Sequence, residues 1–245
     1  MIVDVNNKPT KFIFETSTIA DGNMGFNFGD SSEVSINREN FLKRLGLKYN
    51  NCIVMQSKHL DVVQTVNQAE KAGPTNINES LEADALITQA KNTPLLLTTA
   101  DCLPVVFMDA VTETIALVHV SRHTLILDLV EKTLAELTNK LSVTPTNLIV
   151  NIGPHIRKNS YKFSTPLDET HPTLIPYTEE VNDFAYIDLT RCCLDRLSKA
   201  GISKERVSVS EVDTVASDEH FSHYRSVNKK APTGRMATIV TMTKD

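Results

Sequence analysis

Glycine is scarce in this chain, with eight residues in 245. None of them forms the Gly-rich loop that cradles phosphate in a P-loop or dinucleotide fold, so those two chemistries are set aside. Cysteine is sparse too. Cys52, Cys102, Cys192 and Cys193 show no metal-knuckle spacing and read as thiols, the adjacent Cys192-Cys193 pair as small apolar residues of a helix in the core. There is no basic surplus: 25 Lys and Arg stand against 30 Asp and Glu, a net charge of −5. That balance argues against a general affinity for nucleic acid or anionic lipid. Long apolar runs are missing as well. Met1 to Lys8 lacks the apolar stretch of a signal peptide, and no later segment approaches the roughly 18 residues of a membrane span, so a cytoplasmic protein with no membrane partner is expected. No His-x-His pair occurs, which argues against an ordinary blue-copper oxidase assembly. What remains is ordinary globular composition, 41% hydrophobic and 22% charged, with no repeat, low-complexity tract or linker. A single domain over residues 1–245 is the expectation.

Short runs rich in β-branched and other apolar residues, Leu95 to Leu97, Val105 to Met108 and Ile115 to Val120, are broken at Pro104 and at Asp109-Ala110-Val111-Thr112-Glu113. Each reads as a strand. If the last two pair as an antiparallel hairpin with Asp109 opposite Thr114, Pro104 faces His119. Cys102 then lies one diagonal away on the same face, about 7–8 Å distant at Cα. A slip of one residue would put the thiol on the opposite face.

Around this hairpin, Val34, Phe41, Leu42 and Leu45 fit one helical face that ends at Gly46. Ile53 to Met55 and Val62-Val63 suggest a strand bending into another or a bulged hairpin, and Lys71 to Glu82 a polar loop. Ile126, Val130, Leu134, Leu137 and Leu141 predict one long amphipathic helix after His119. Leu148 to Ile152, Val207 to Val209 and Ala237 to Met242 read as strands. Asp188 caps a helix carrying Leu189, Cys193 and Leu197. Strands and helices lack the regular alternation of a doubly wound sheet, so a mixed α/β or α+β fold is expected.

A cysteine facing a histidine admits two chemistries: ligands of a zinc ion with an open position, or nucleophile and base. Against both stands a half-buried histidine at a strand end. A zinc site needs a third protein ligand, for which His59 and then His123 are the candidates; His220 and His223 flank a predicted turn and read as surface residues.

Several blocks together carry a resemblance: Asn27-Phe28-Gly29, Val34, Asn37-Arg38, Gln56, and Glu82-Ala83-Asp84-Ala85-Leu86-Ile87-Thr88. They continue with Thr99-Ala100-Asp101-Cys102-Leu103-Pro104-Val105, His119, Glu131-Lys132-Thr133, Ile152-Gly153-Pro154-His155-Ile156, Tyr161, Phe221-Ser222-His223 and Thr233-Gly234-Arg235. In this order they resemble the laccase-domain, or YfiH-type, family, also labelled polyphenol oxidase and purine nucleoside phosphorylase. The resemblance implies a mixed β-sandwich flanked by helices, similar to the catalytic domain of cytotoxic necrotizing factor. It also implies a Cys-His-His zinc centre and phosphorolysis of adenosine, inosine, guanosine or methylthioadenosine, with adenosine deamination by some members. Hydrolysis of a wrongly built peptidoglycan precursor is another role proposed within the family.

The departures matter as much. The family reads Gln-x-His, and here Lys58 stands where that histidine belongs, with His59 one position late. On a regular strand that slip turns the imidazole away, so His59 can serve only through a bulge or local shift. The family's His-Ala-Gly-Trp-Arg-Gly is here His119-Val120-Ser121-Arg122-His123-Thr124, and its Arg-Arg pair is Tyr224-Arg225. Three outcomes stay open. Zinc is held by Cys102, His119 and a displaced His59 or His123. Alternatively, Lys58 enters the site as a catalytic cation beside a metal-free Cys102-His119 hydrolase pair. In the third, the site is degenerate and the protein is a binding paralogue. In the first, Arg122, His123 or Arg225 neutralises phosphate, the co-substrate of a purine nucleoside.

Overall fold

The computed structural model describes residues 2–4, 10–67, 73–164, 170–229 and 231–244. Its architecture follows from strands that are apolar on both faces. In β8 (Leu103–Asp109), Val105 and Phe107 enter one cluster of buried side chains while Val106 and Met108 enter another. Its neighbour β9 (Thr114–Val120) divides the same way, with Ala116, Val118 and Val120 on one side and Ile115 and Leu117 on the other. Strands buried on both faces belong to a middle layer.

That layer is a six-stranded sheet in the order β14 (Val207–Val209), β10 (Ile149–Ile152), β8, β9, β6 (Ala85–Thr88) and β4 (Val63–Thr65). A second six-stranded sheet lies against it. It runs β1 (Ile2–Asp4), β2 (Thr10–Thr16), β15 (Met236–Lys244), β7 (Leu95–Thr99), β3 (Ile53–Gln56), β5 (Leu81–Glu82). Phe12, Phe14, Met55, Leu95, Leu97 and Val240 of this sheet meet Leu86, Val106, Met108, Ile115 and Leu117 of the other. The outer face of the second sheet is closed by α1 (Ser31–Arg44), whose Phe41 and Leu42 pack on Val54, Leu96 and Ile239. Asp30 caps α1 through the backbone N–H groups of Ser32 and Glu33. Gly46 takes a φ of 74° just beyond it, as its sequence position predicts.

The far face of the first sheet carries three more helices. The helix expected after His119 is two, α2 (Arg122–Ile126) and α3 (Leu129–Leu141), because Asp128 takes a left-handed conformation between them. Both pack with α4 (Leu189–Lys199), which Asp188 caps as expected and which buries Cys192 and Cys193. The short sheet of β11 (Lys162–Phe163), β13 (Phe184–Ile187) and β12 (Thr178–Val181) adds Phe163 and Ile187 to the same cluster. The last helix is α5 (His223–Lys229).

Two local expectations change. The segments at Ile53 and Val62 are not one bent strand, for β3 and β4 lie in different sheets and residues 57–62 cross between them. The polar stretch before Glu82 carries a 3-10 turn at Ile77–Glu79 and then β5; Lys71 and Ala72, where that loop was expected to begin, lie outside the described residues. Among the described residues, no helix is long and apolar enough to cross a membrane.

Candidate metal centre

The hairpin register is the expected one, with Asp109 opposite Thr114 and Pro104 opposite His119. By the alternation of β8 and β9, Cys102 and His119 then share the face with Val106 and Leu117, which looks into the gap between the sheets. The chain reaches Cys102 through a tight reversal after β7. There Asp101 is held at a φ of 93°, a backbone region a non-glycine residue rarely occupies. Its carboxylate accepts from the Thr214 hydroxyl at 2.6 Å and the Tyr224 N–H at 2.6 Å, and its carbonyl from the Ile156 N–H at 2.9 Å. Those three contacts fix the turn that presents the thiol.

His59 arrives from the crossing segment. Strand β3 ends at Gln56, and His59 takes a φ of 59°, which is the local shift the one-residue displacement required. The buried Asp84 carboxylate organises this turn by accepting the N–H groups of Lys58 at 3.3 Å, His59 at 3.0 Å and Leu60 at 2.8 Å. The same carboxylate takes Nδ1 of His119 at 2.9 Å. His59 in turn has Nδ1 at 3.1 Å from the Ser121 hydroxyl. One donor atom each from His59, Cys102 and His119 lie within 4.8 Å of one another, the only such group of three among the described residues.

The electrostatics of the three differ. Burial works against charge on His119, but the neighbouring Cys102 and the Asp84 carboxylate outweigh it and raise its pKa to about 9. Burial and the neighbouring His119 push His59 the other way, to about 4. Burial opposes ionisation of Asp84 too, yet the bonds from His119 and from the Leu60 and Lys58 N–H groups hold its pKa below the ordinary carboxylate value. The donor set suits a divalent metal: two imidazoles each with Nδ1 engaged by an oxygen, leaving Nε2, and one thiol.

His59 and Cys102 line a cavity of about 640 Å³, to which Ala100, Asp101, Arg122, His123, Tyr161, Phe163 and Tyr224 also contribute, while His119 is buried beside them. Arg122 lies over the Phe163 ring at 4.9 Å, and the His123 ring centroid is 6.1 Å from that of His59. Burial pushes the Tyr161 hydroxyl up to about 12, so it stays a proton donor.

Other sequence candidates are placed differently. Lys58 lines the cavity, but its ammonium is paired with Glu82 at 3.1 Å rather than gathered around the thiol as the metal-free outcome required. Arg225 is turned away from the phosphate role, because its guanidinium donates to the carbonyls of Val215, Ser217 and His220. His220 is buried and bonded to Ser217 rather than on the surface. His223 is exposed but lines the cavity. Asp84, Ser121 and Tyr161 received no site role from sequence. Only Asp84 carried a signal, a carboxylate inside an apolar strand-forming block.

The chain is similar to several known proteins. A purine nucleoside phosphorylase of Mycobacterium tuberculosis (strain ATCC 25618 / H37Rv) is 29% identical over 224 residues, covering 90% of this chain and 84% of its own length. The purine nucleoside phosphorylase YlmD of Bacillus subtilis (strain 168) is 26% identical over 229 residues, with 90% and 81% covered. Among solved structures, YlmD from Geobacillus stearothermophilus superimposes with a TM-score of 0.83 at 22% identity, over 96% of this chain and 92% of that one. The hypothetical protein YfiH of Bacillus licheniformis gives 0.81 at 20%, over 95% and 92%. The family model described as multi-copper polyphenol oxidoreductase laccase matches residues 14–243, and the chain belongs to that laccase-domain family.

Proposed function

We propose that this protein is a zinc-dependent purine nucleoside phosphorylase whose metal ligands are His59, Cys102 and His119. The observation that carries the reading is the convergence of these three donors, two of them at the wall of a nucleoside-sized cavity that Arg122 also lines. The names of the relatives support the reaction class. Two histidines and one cysteine with a position left open are a catalytic zinc donor set, and when bound the ion supplies Lewis acidity at that position.

The chain's own residues do the rest. Asp84 keeps Nδ1 of His119 engaged, so the ring offers Nε2 to the centre, and Ser121 does the same for His59. Asp84 also ties both histidines to one carboxylate, which fixes their spacing. In phosphorolysis a phosphate oxygen bonds to C1′ of the ribose as the C–N bond breaks, and its electron pair leaves on the purine. Arg122 offers positive charge to the incoming phosphate, and its place over Phe163 keeps the guanidinium flat beside the cavity. Tyr161, neutral by burial, donates a hydrogen bond to the bound nucleoside.

A metal-free Cys102-His119 hydrolase is the second reading. It draws on the proton that Cys102 and Asp84 hold on His119. Metal analysis of the purified protein, with a purine nucleoside panel run with and without phosphate, separates the two. About one zinc per chain and release of base only with phosphate are expected. Metal-free protein with an alkylation-sensitive Cys102 supports the hydrolase, and metal-free protein that is inert to every nucleoside and whose Cys102 resists alkylation would sink both.

A further inference from the structure

Two blocks quoted for the family resemblance have no part in the metal centre: Asn27-Phe28-Gly29 and Thr233-Gly234-Arg235. They meet in the structure. The Arg235 guanidinium lies 3.7 Å from the centroid of the Phe28 ring. The backbone is pinned from the same segment: the Arg235 N–H donates to Asn23 Oδ1 at 2.9 Å, and the Arg235 carbonyl accepts from the Met24 N–H at 3.0 Å. A Cβ on Gly25 would come within 2.8 Å of Arg235 Cγ, so the loop presses on the arginine stem and only glycine fits there.

The cradle holds a cation with little to do inside the protein. One guanidinium nitrogen donates to the Gly234 carbonyl at 2.8 Å, and among the described residues no carboxylate lies within ion-pair distance. Burial disfavours its charge. A half-buried guanidinium stacked on a ring and short of an anion is incompletely compensated, since stacking offsets only part of its lost hydration. Its location explains which anion is missing. Met236 pairs with Thr99 in the antiparallel β15–β7 ladder, which sets Arg235 across from Ala100, a cavity residue that leads through Asp101 to Cys102. The charges of Cys102 and Asp101 act on Arg235, and Arg235 acts on His59.

We propose that Arg235 binds a phosphate oxyanion beside Cys102 and His59, a task for which the sequence nominated Arg122, His123 or Arg225. The identity of the anion as the co-substrate rests on the phosphorolysis reading above. The fork of Arg235 has donors to spare for two phosphate oxygens, whereas Arg225 has given its own to three carbonyls.

The test is calorimetric titration of the metal-loaded protein with inorganic phosphate, and separately with a nucleoside 5′-phosphate, in wild type, Arg235→Gln, Arg235→Lys and Phe28→Leu. Arg235→Gln is expected to weaken inorganic phosphate about 10- to 100-fold and to raise the phosphate KM in step, with the nucleoside KM unchanged. Arg235→Lys recovers part of the loss, because it keeps the charge and loses the fork. Should Arg235→Gln fail to fold, Arg235→Lys and Phe28→Leu decide, each with weaker phosphate binding. Unchanged phosphate affinity in the folded variants overturns the proposal, and a loss confined to the nucleoside 5′-phosphate overturns the co-substrate assignment. If wild type releases no base but binds phosphate through Arg235, the function reading falls and the anion site stands.

Discussion

The Asp84 carboxylate accepts the His59 N–H at 3.0 Å while it holds Nδ1 of His119 at 2.9 Å, so two prospective metal ligands, one from the crossing segment and one from β9, answer to one side chain. Replacing it therefore disturbs both. Asp84→Asn turns one acceptor into a donor facing N–H groups, and is expected to weaken metal binding by about 10- to 100-fold. Competition with a chelating dye measures it. An unchanged affinity would mean that the carboxylate does not orient the rings.

The three donors and Lys58 make opposite predictions. His59→Ala and Cys102→Ala are each expected to lose the metal on dialysis, whereas Lys58→Ala retains it because its ammonium faces Glu82. Elemental analysis gives the ratio of metal to chain. Retention in His59→Ala would hand the third position to another residue and return the chain to the displaced-ligand question left by its sequence.

A pH dependence of stability follows from His155, which is buried with its ring between the Gly153 carbonyl at 2.7 Å and the Thr190 hydroxyl at 2.7 Å. Burial lowers its pKa from 6.5 to about 4, with Arg157 lowering it further and Asp213 and Asp188 opposing. Between those values the unfolded chain binds a proton that the native chain refuses, so native stability falls as pH drops from 6.5 towards 4. The loss amounts to about 3 kcal/mol over that window. His59 shifts in the same direction, so the quantity to read is the difference between wild type and His155→Asn in urea midpoint at pH 7 and pH 5. A difference that does not change with pH would show that His155 is not the group responsible.

The hairpin was readable because its register depends on local signals: a polar turn at Asp109 to Thr114 and apolar runs on either side. Cys102 and His119 followed from it. His59 could be nominated but not positioned, since its arrival needs a left-handed residue and the carboxylate of Asp84, which sits just before β6. The break between α2 and α3 also turns on one backbone angle, at Asp128, which apolar periodicity does not register. Arg225 and Arg235 are alike in sequence. What separates them is which carbonyls the folded chain puts in reach, and that is a tertiary property.

Strand β15 lies between β2 and β7, joining the earliest long strand to the one that leads into Cys102. During synthesis the ribosome delivers β2, β7 and the β8–β9 hairpin long before β15. Until β15 emerges, β2 and β7 have no ladder partner between them and Arg235 does not yet exist. Such long-range pairing makes for slow folding. The nascent protein therefore holds its thiol and both imidazoles before it has the strand that pairs with β7, which leads into the turn at Asp101. The candidate donors of a growing chain and of the finished one are thus held differently, and the order in which they gain their support is written into the sheet.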